Sequence, residues 1–158
     1  MNRRKIFLIL TLLWMVVIFC FSARNADLST EDSYRVGMLV GDIIVPGFKT
    51  WPEADRIAFA ATIDHPVRKT AHATEYAILA MLTCGAMMPA SLGKTFLCSW
   101  LIATIYACTD EFHQLFVPGR SGQLSDVCID SLGAMAGLLL IWGIFKIIKK
   151  QENYGLMR

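Results

Sequence analysis

Four residues near the end of one apolar run, Asp110, Glu111, His113 and Gln114, carry groups that move protons, bind metals or hold substrates. They lie in the stretch ACTDEFHQLFVPGR (residues 107–120), which begins apolar and ends in a turn. Two other stretches supply complementary groups. Residues 68–76 contain Arg68, Lys69, His72, Glu75 and Tyr76, and residues 126–130 contain Asp126 and Asp130. Carboxylates crowded beside His and Lys can be tuned into an acid and a base. His72-x-x-Glu75 and Asp110-x-x-His113 each put two ligands on one helix face, a spacing that also admits a divalent metal. Arg120 and Lys69 suit a phosphate or carboxylate, with Arg able to bind in bidentate fashion. No nucleophile elbow, P-loop, zincin or nucleic-acid motif is present.

The elements that must position these groups are apolar. The 158 residues suffice for one domain. They are 55% hydrophobic and only 18% charged, where a soluble domain carries about 25% charged residues, and the mean hydropathy is +0.49. The apolar residues come in blocks, which predicts an all-α, polytopic membrane protein with four transmembrane helices. The expected spans are residues 6–21, 68–88, 95–117 and 126–148, with a long extracytoplasmic loop, 22–67, after the first, all in a single domain of residues 1–158. The first span follows a basic start (Arg3, Arg4, Lys5) and reads as a retained helix, because Phe21 stands where signal cleavage wants a small residue. The five cysteines lie in or beside apolar runs without CxxC spacing and read as small buried hydrophobes.

Within the long loop, Ser29 or Thr30 can cap a helix with Glu31 and Asp32 in its first turn. Thr50-x-x-Glu53 matches a capping box that opens a second short helix ending near Ile63, with Pro46-Gly47 between the two. These helices can lie along the membrane, fold back as a lid, or serve as ordinary loop helices. Tight turns are expected at residues 88–94 and 118–122, and a polar tail from Lys149. One set of connections holds Arg3, Arg4, Lys5, Lys94, Lys146, Lys149 and Lys150, and the short turn opposite holds only Arg120. The positive-inside rule then puts both termini in the cytoplasm, at a multi-pass location in the cell membrane.

At 100° per residue, Arg68, Lys69, His72, Glu75, Tyr76 and Thr83 share an arc of the second span. Ser99, Ala103, Tyr106, Asp110 and Gln114 share a face of the third, and Asp126, Asp130, Gly133 and Gly137 a face of the fourth. Lipid excludes such polar stripes to the bundle interior. Glu75 lies about 10 Å below Arg68 along its helix, so three segments bring acids and bases to one depth near the extracytoplasmic surface. Mutual neutralisation is one account of them. Desolvation often exceeds the gain from pairing, so nine ionisable groups at one level favour a functional cluster. Gly133-x-x-x-Gly137 reads as a close-packing motif.

At these residues the chain resembles the VanZ-like family of bacterial membrane proteins. The resemblance rests on Phe21-Ser22, on Arg68-Lys69-x-x-His72-x-x-x-Tyr76, and on Glu111-x-x-Gln114-x-Phe116-x-Pro118-Gly119-Arg120. It ends with Asp126-Val127-x-x-Asp130-x-x-Gly133-x-x-x-Gly137, in which Asp130 stands where the family often has Asn. The resemblance implies a four-span membrane protein linked to glycopeptide resistance, chiefly to teicoplanin, with no settled reaction. By motif match it singles out Lys69, His72, Tyr76, Glu111, Gln114, Arg120, Asp126 and Asp130; the acid–base reading above then assigns His72, Glu111, Asp126 and Asp130 to proton transfer and Lys69, Tyr76, Gln114 and Arg120 to holding substrate. No cofactor is expected. The expected partners are membrane lipids and a lipid-linked cell-wall precursor or a glycopeptide, and no nucleic acid. Two functions follow: action on an envelope lipid or peptidoglycan precursor, or a non-catalytic protein that shields an antibiotic, its target or a partner.

Overall fold

The computed structural model describes residues 2–88 and 91–155. Among them the chain is all-helical: α1 (Arg3–Ser22), α2 (Ala26–Ile44), a 3-10 turn (Phe48–Thr50), α3 (Glu53–Met87), α4 (Leu92–Gln114) and α5 (Leu124–Gly155). Three helices are long and apolar enough to cross a membrane: α1, α4 and α5 as far as Gln151. The second half of α3, where one of the four spans was expected, carries His72 and Glu75 and is not among these three.

The two helices expected in residues 22–67 form, with Pro46 and Gly47 between them, as a hairpin whose second arm is continuous with the next helix. Asn25, four residues ahead of the expected cap, accepts the Leu28 N–H at 2.9 Å and starts α2, which leaves Ser29 free for another role. The expected capping box does not form. The Thr50 hydroxyl instead donates to the Gly47 carbonyl at 2.7 Å inside the 3-10 turn, and Pro52 stands at the start of α3. Nor does the helix stop near Ile63. It runs through Pro66 for 35 residues, about 52 Å at 1.5 Å per residue. Pro66 removes one backbone bond, a loss that packed membrane helices tolerate. Small residues bring α2 onto α3: a Cβ at Gly37 would stand 3.1 Å from Ala60, and one at Gly41 would meet the Phe48 ring at 2.5 Å. Phe48 is thereby almost fully buried at the hairpin's tip.

Helix α3 is the hub, packing on α1, α2, α4 and α5. Its seam with α5 depends on glycine. A Cβ at Gly133 would collide with the Ala73 backbone, and one at Gly137 would lie 2.6 Å from the Ala77 carbonyl oxygen, so the close-packing motif does pack closely. Tyr76, Leu79, Ala80, Ala103, Ala107 and Leu138 fill the centre of the core. The surface is inverted relative to a soluble fold. Leu12, Leu132 and Ile105 are more than 60% exposed, whereas Asp110, Glu111, Gln114 and Asp130 are at most 5% exposed. That pattern suits helices whose outer faces meet lipid. It also corrects the reading of the cysteines. All five are free, but only Cys84 is buried, and Cys20, Cys108 and Cys128 lie on outward faces.

Helix boundaries shift modestly. Helix α4 ends at Gln114, not at residue 117, and successive i→i+3 bonds from Leu115, Phe116 and Val117 tighten the chain into the turn. Gly119 in that turn has φ +73. Helix α5 continues past the expected tail at Lys149. Of the turn expected at 88–94, Pro89 and Ala90 lie outside the described residues, and Leu92 to Lys94 already belong to α4.

Candidate functional site

Where α3, the α4–α5 turn and the start of α5 meet, a polar cavity of about 200 Å³ is lined by Lys69, His72, Gln114, Arg120, Gln123 and Asp126 among others. Each residue arrives from a separate local cause. Lys69 and His72 lie on one face of α3, one turn apart. Gln114 is the last residue of α4. Arg120 follows the left-handed Gly119, whose conformation only glycine adopts without strain. Asp126 sits in the first turn of α5, where a carboxylate is favoured. Lys69 and Asp126 form an ion pair across the α3–α5 seam.

A second cavity, of about 300 Å³, shares Arg68, His72 and Arg120 with the first. Its far wall is the start of α2, including Ser29, Asp32 and Ser33. That wall is held by several ties. The Ala26 N–H donates to the Pro118 carbonyl at 3.2 Å, and Arg120 donates to the Ser29 hydroxyl at 3.3 Å. Ser33 donates to Asp64, which also pairs with Arg68 at 2.6 Å, and Arg24 pairs with Asp32 at 3.0 Å. The Arg120 side chain makes no salt bridge among the described residues, and its Nε has no hydrogen-bond partner. Burial, and next the neighbouring Arg68, draw the Arg120 pKa below its ordinary value, while Asp110, Glu111 and Glu75 act the other way. The guanidinium remains charged at neutral pH.

Behind the cavity stands a layer of buried polar side chains. The Asp110 carboxylate accepts from the Ser22 hydroxyl at 2.7 Å and from Gln114 Nε2 at 3.3 Å. Glu111 accepts the backbone N–H of Gln123 at 2.8 Å and faces Gln114 Nε2 at 3.4 Å. A Cβ at Gly122 would strike the Glu111 carbonyl, so glycine lets the turn fold back onto α4. The Tyr76 hydroxyl lies in the field of Asp110 and Asp130 without closing a hydrogen bond of ordinary geometry. Both Asp130 oxygens are buried without a partner. Glu75 Oε2 lies 3.8 Å from His72 Nδ1.

The three expected stretches therefore converge. Lys69, His72, Gln114, Arg120 and Asp126 line the cavity, and Tyr76, Glu111 and Asp130 stand in the layer behind it. His113 does not join them. It turns to Phe19, with ring centroids 4.6 Å apart, so the Asp110–His113 pair does not meet the His72–Glu75 pair. Among the described residues, no three His, Cys, Asp or Glu groups are placed to hold a metal ion.

Sequence reasoning missed the contribution of α1 and α2. Ser22 anchors Asp110, and Ser29, Asp32 and Ser33 complete the second cavity. The signal for Ser22 was its place in the Phe21-Ser22 motif. The i, i+4 spacing of Asp64 and Arg68 was the signal for that pair.

A family model described as VanZ/LLP1 matches residues 7–148, nearly the whole chain. The chain belongs to the VanZ/LLP1 family. That family is associated in general with glycopeptide resistance. No match was found among curated proteins or among solved structures. Most of the residues that suggested the VanZ resemblance lie in the cavity wall, in the layer behind it, or in the glycine seam that holds both. Phe116 is one exception, 71% exposed and packed edge-on against Phe112 at 5.3 Å.

Proposed function

We propose that this VanZ/LLP1 protein crosses the bacterial cytoplasmic membrane four times, with the inner half of α3 as the remaining span and both termini in the cytoplasm. Its polar cavity then opens at the outer face, where it acts on a cell-envelope lipid or peptidoglycan precursor and so protects against teicoplanin. The observation that supports this reading most is the meeting of Lys69, His72, Arg120 and Asp126, from three segments, on one cavity wall. In this reading Lys69 and Arg120 hold an anionic group, with Tyr76 and Gln114 shaping its surroundings. His72, Glu111, Asp126 and Asp130 hold or move protons.

A second reading has a specific observation in its favour. Lys69 pairs with Asp126 and Arg68 with Asp64, so part of the charge neutralises itself, as in a protein that shields an antibiotic, its target or a partner without chemistry. Teicoplanin susceptibility of a sensitive Gram-positive host separates the two. Empty vector, wild type and Glu111→Gln are compared at matched membrane levels. Catalysis through Glu111 predicts that wild type protects and Glu111→Gln does not. Protection that survives the substitution supports shielding. No protection by wild type removes the link to teicoplanin.

A further inference from the structure

The second cavity does not end at its polar wall. Through Val36, Val67, Ala71 and Glu75 it joins a larger groove of about 630 Å³. The walls of that groove are apolar: Val40 and Ile44 from α2, Ile63 and Ile78 from α3, and Trp14 from α1. The Glu75 carboxylate, at the junction, faces His72. The groove is thus apolar along its length and cationic at one end, where Arg68 and Arg120 stand with His72 beside them. Arg68 and Asp32 in that end wall already have partners in Asp64 and Arg24, which leaves Arg120 as the cation without a carboxylate partner among the described residues.

Dimensions agree with a lipid. Arg68 and Ile78 are ten residues apart on α3, about 15 Å at 1.5 Å per residue, which is the depth of one leaflet of a hydrocarbon core about 30 Å thick. An apolar chain lying along α3 from its outer end thus reaches Ile78 and Trp14 while its headgroup stays beside Arg120. The planar guanidinium of Arg can donate to two oxygens of one phosphate, and a phosphate attached directly to an apolar chain fills both arms at once.

We propose that the α1–α2–α3 groove binds a phosphate-headed membrane lipid, with one chain along α3 and the phosphate at Arg120, His72 and Arg68. This rests on the outward-facing orientation proposed above and narrows its substrate class to a lipid phosphate that enters sideways from the bilayer.

Native mass spectrometry of the full chain in detergent tests it with three probes: oleoyl lysophosphatidic acid, monoolein (the same chain without phosphate) and inorganic phosphate. Lysophosphatidic acid is expected to bind one to one, at least tenfold tighter than monoolein, with inorganic phosphate at equal concentration failing to displace it. Arg120→Gln is expected to bring the two lipids within threefold of each other. Ala71→Trp, on the α3 wall, and Val40→Trp, on the α2 wall, are each expected to weaken both lipids at least tenfold while circular dichroism shows the helices intact. Two variants on different helices guard against one that fails to fold.

Equal binding of the two lipids overturns the proposal, as does undiminished binding in the folded groove-filling variants. Inorganic phosphate that binds as tightly as the lipid would point to a small-anion site. A dimer whose interface covers the groove would make a second copy the occupant. Binding is read without antibiotic. Lipid binding without protection from teicoplanin therefore counts against the resistance reading alone, and protection without lipid binding counts against the groove alone.

Discussion

The seam between α3 and α5 fixes where Asp126 and Asp130 stand, and a single methyl group tests it. A Cβ at Gly137 would lie 2.6 Å from the Ala77 carbonyl oxygen, and ordinary Cβ contacts begin at 3.4 Å. The shortfall is 0.8 Å, the difference of those two distances. The obstructing atom is backbone and cannot rotate away, so the helices must part. Overpacking of this kind costs about 1–3 kcal/mol. Alanine also favours helix over glycine by about 1 kcal/mol, which would blur the result in a single variant. Gly143 supplies the control, because it lies on the same helix with nothing within 4 Å of its Cβ position. Gly143→Ala keeps the propensity gain without the clash. Gly137→Ala should therefore be less stable than Gly143→Ala by about 1–3 kcal/mol, and a chain of this size shifts its melting midpoint by roughly 2–4 °C per kcal/mol. Thermal unfolding of both variants in one detergent, followed by tryptophan fluorescence, measures the gap. If the two melt together, α5 does not rest on the α3 backbone, and the placement of Asp130 beside Tyr76 fails with it.

Ser22→Ala removes the short bond to Asp110 and leaves that carboxylate only the longer contact from Gln114. The expected loss is about 1.5–3 kcal/mol, read by thermal unfolding. Lys69→Met and Asp126→Leu should each destabilise, by about 1–3 kcal/mol because both side chains keep some solvent contact. The double variant should recover most of that loss, since neither charge is then stranded, and a double-mutant cycle reads the difference. Asp130→Asn should leave stability unchanged or raise it by up to about 2 kcal/mol, because it removes a buried carboxylate whose oxygens have no partner. Teicoplanin protection should fall in the same variant if Asp130 holds a proton for the chemistry.

The sequence was most legible where one physical constraint dominated. Lys69, His72, Tyr76 and Glu75 share a helix face by spacing alone, and lipid leaves such a face nowhere to go but inward. Gly133 and Gly137 were readable as a contact because a pair of glycines one turn apart has few other uses in an apolar helix. The helix boundaries after α1, though not the two helices themselves, were misread because their signals are local and weak. Asn25, Ser29 and Thr30 are all acceptable caps, and only the tertiary bond from Arg120 to Ser29 shows which residue was free to do something else. A helix end was expected near Ile63, yet α3, packed on α2 and α1, runs on through Pro66. His113 has the chemistry of a site residue but lies on the wrong side of the helix: one position, about 100°, separates it from Gln114 in the cavity wall and turns it to Phe19.

The bonds that complete the site join residues far apart in the chain. Ser22 reaches Asp110 across 88 positions, Arg120 reaches Ser29 across 91, and Tyr106 reaches the Met15 carbonyl across 91. Such contacts close only after the intervening chain has been made and placed, and the loop-closure entropy is spent before they form. Helix α1 can enter the membrane early at little polar cost, since it carries no Asp, Glu, Lys, Arg or His between Lys5 and Ser22. With α3 as the fourth span proposed above, that helix enters with His72 and Glu75, and Asp126, the partner of its Lys69, arrives only with α5. On that topology, biogenesis passes through a state in which Lys69 sits near the bilayer before its partner on α5 has been made. The last helix is thus both a wall of the cavity and the latch that ends this exposed stage, and a chain that stalls before it displays the polar groups a membrane protease or chaperone can recognise.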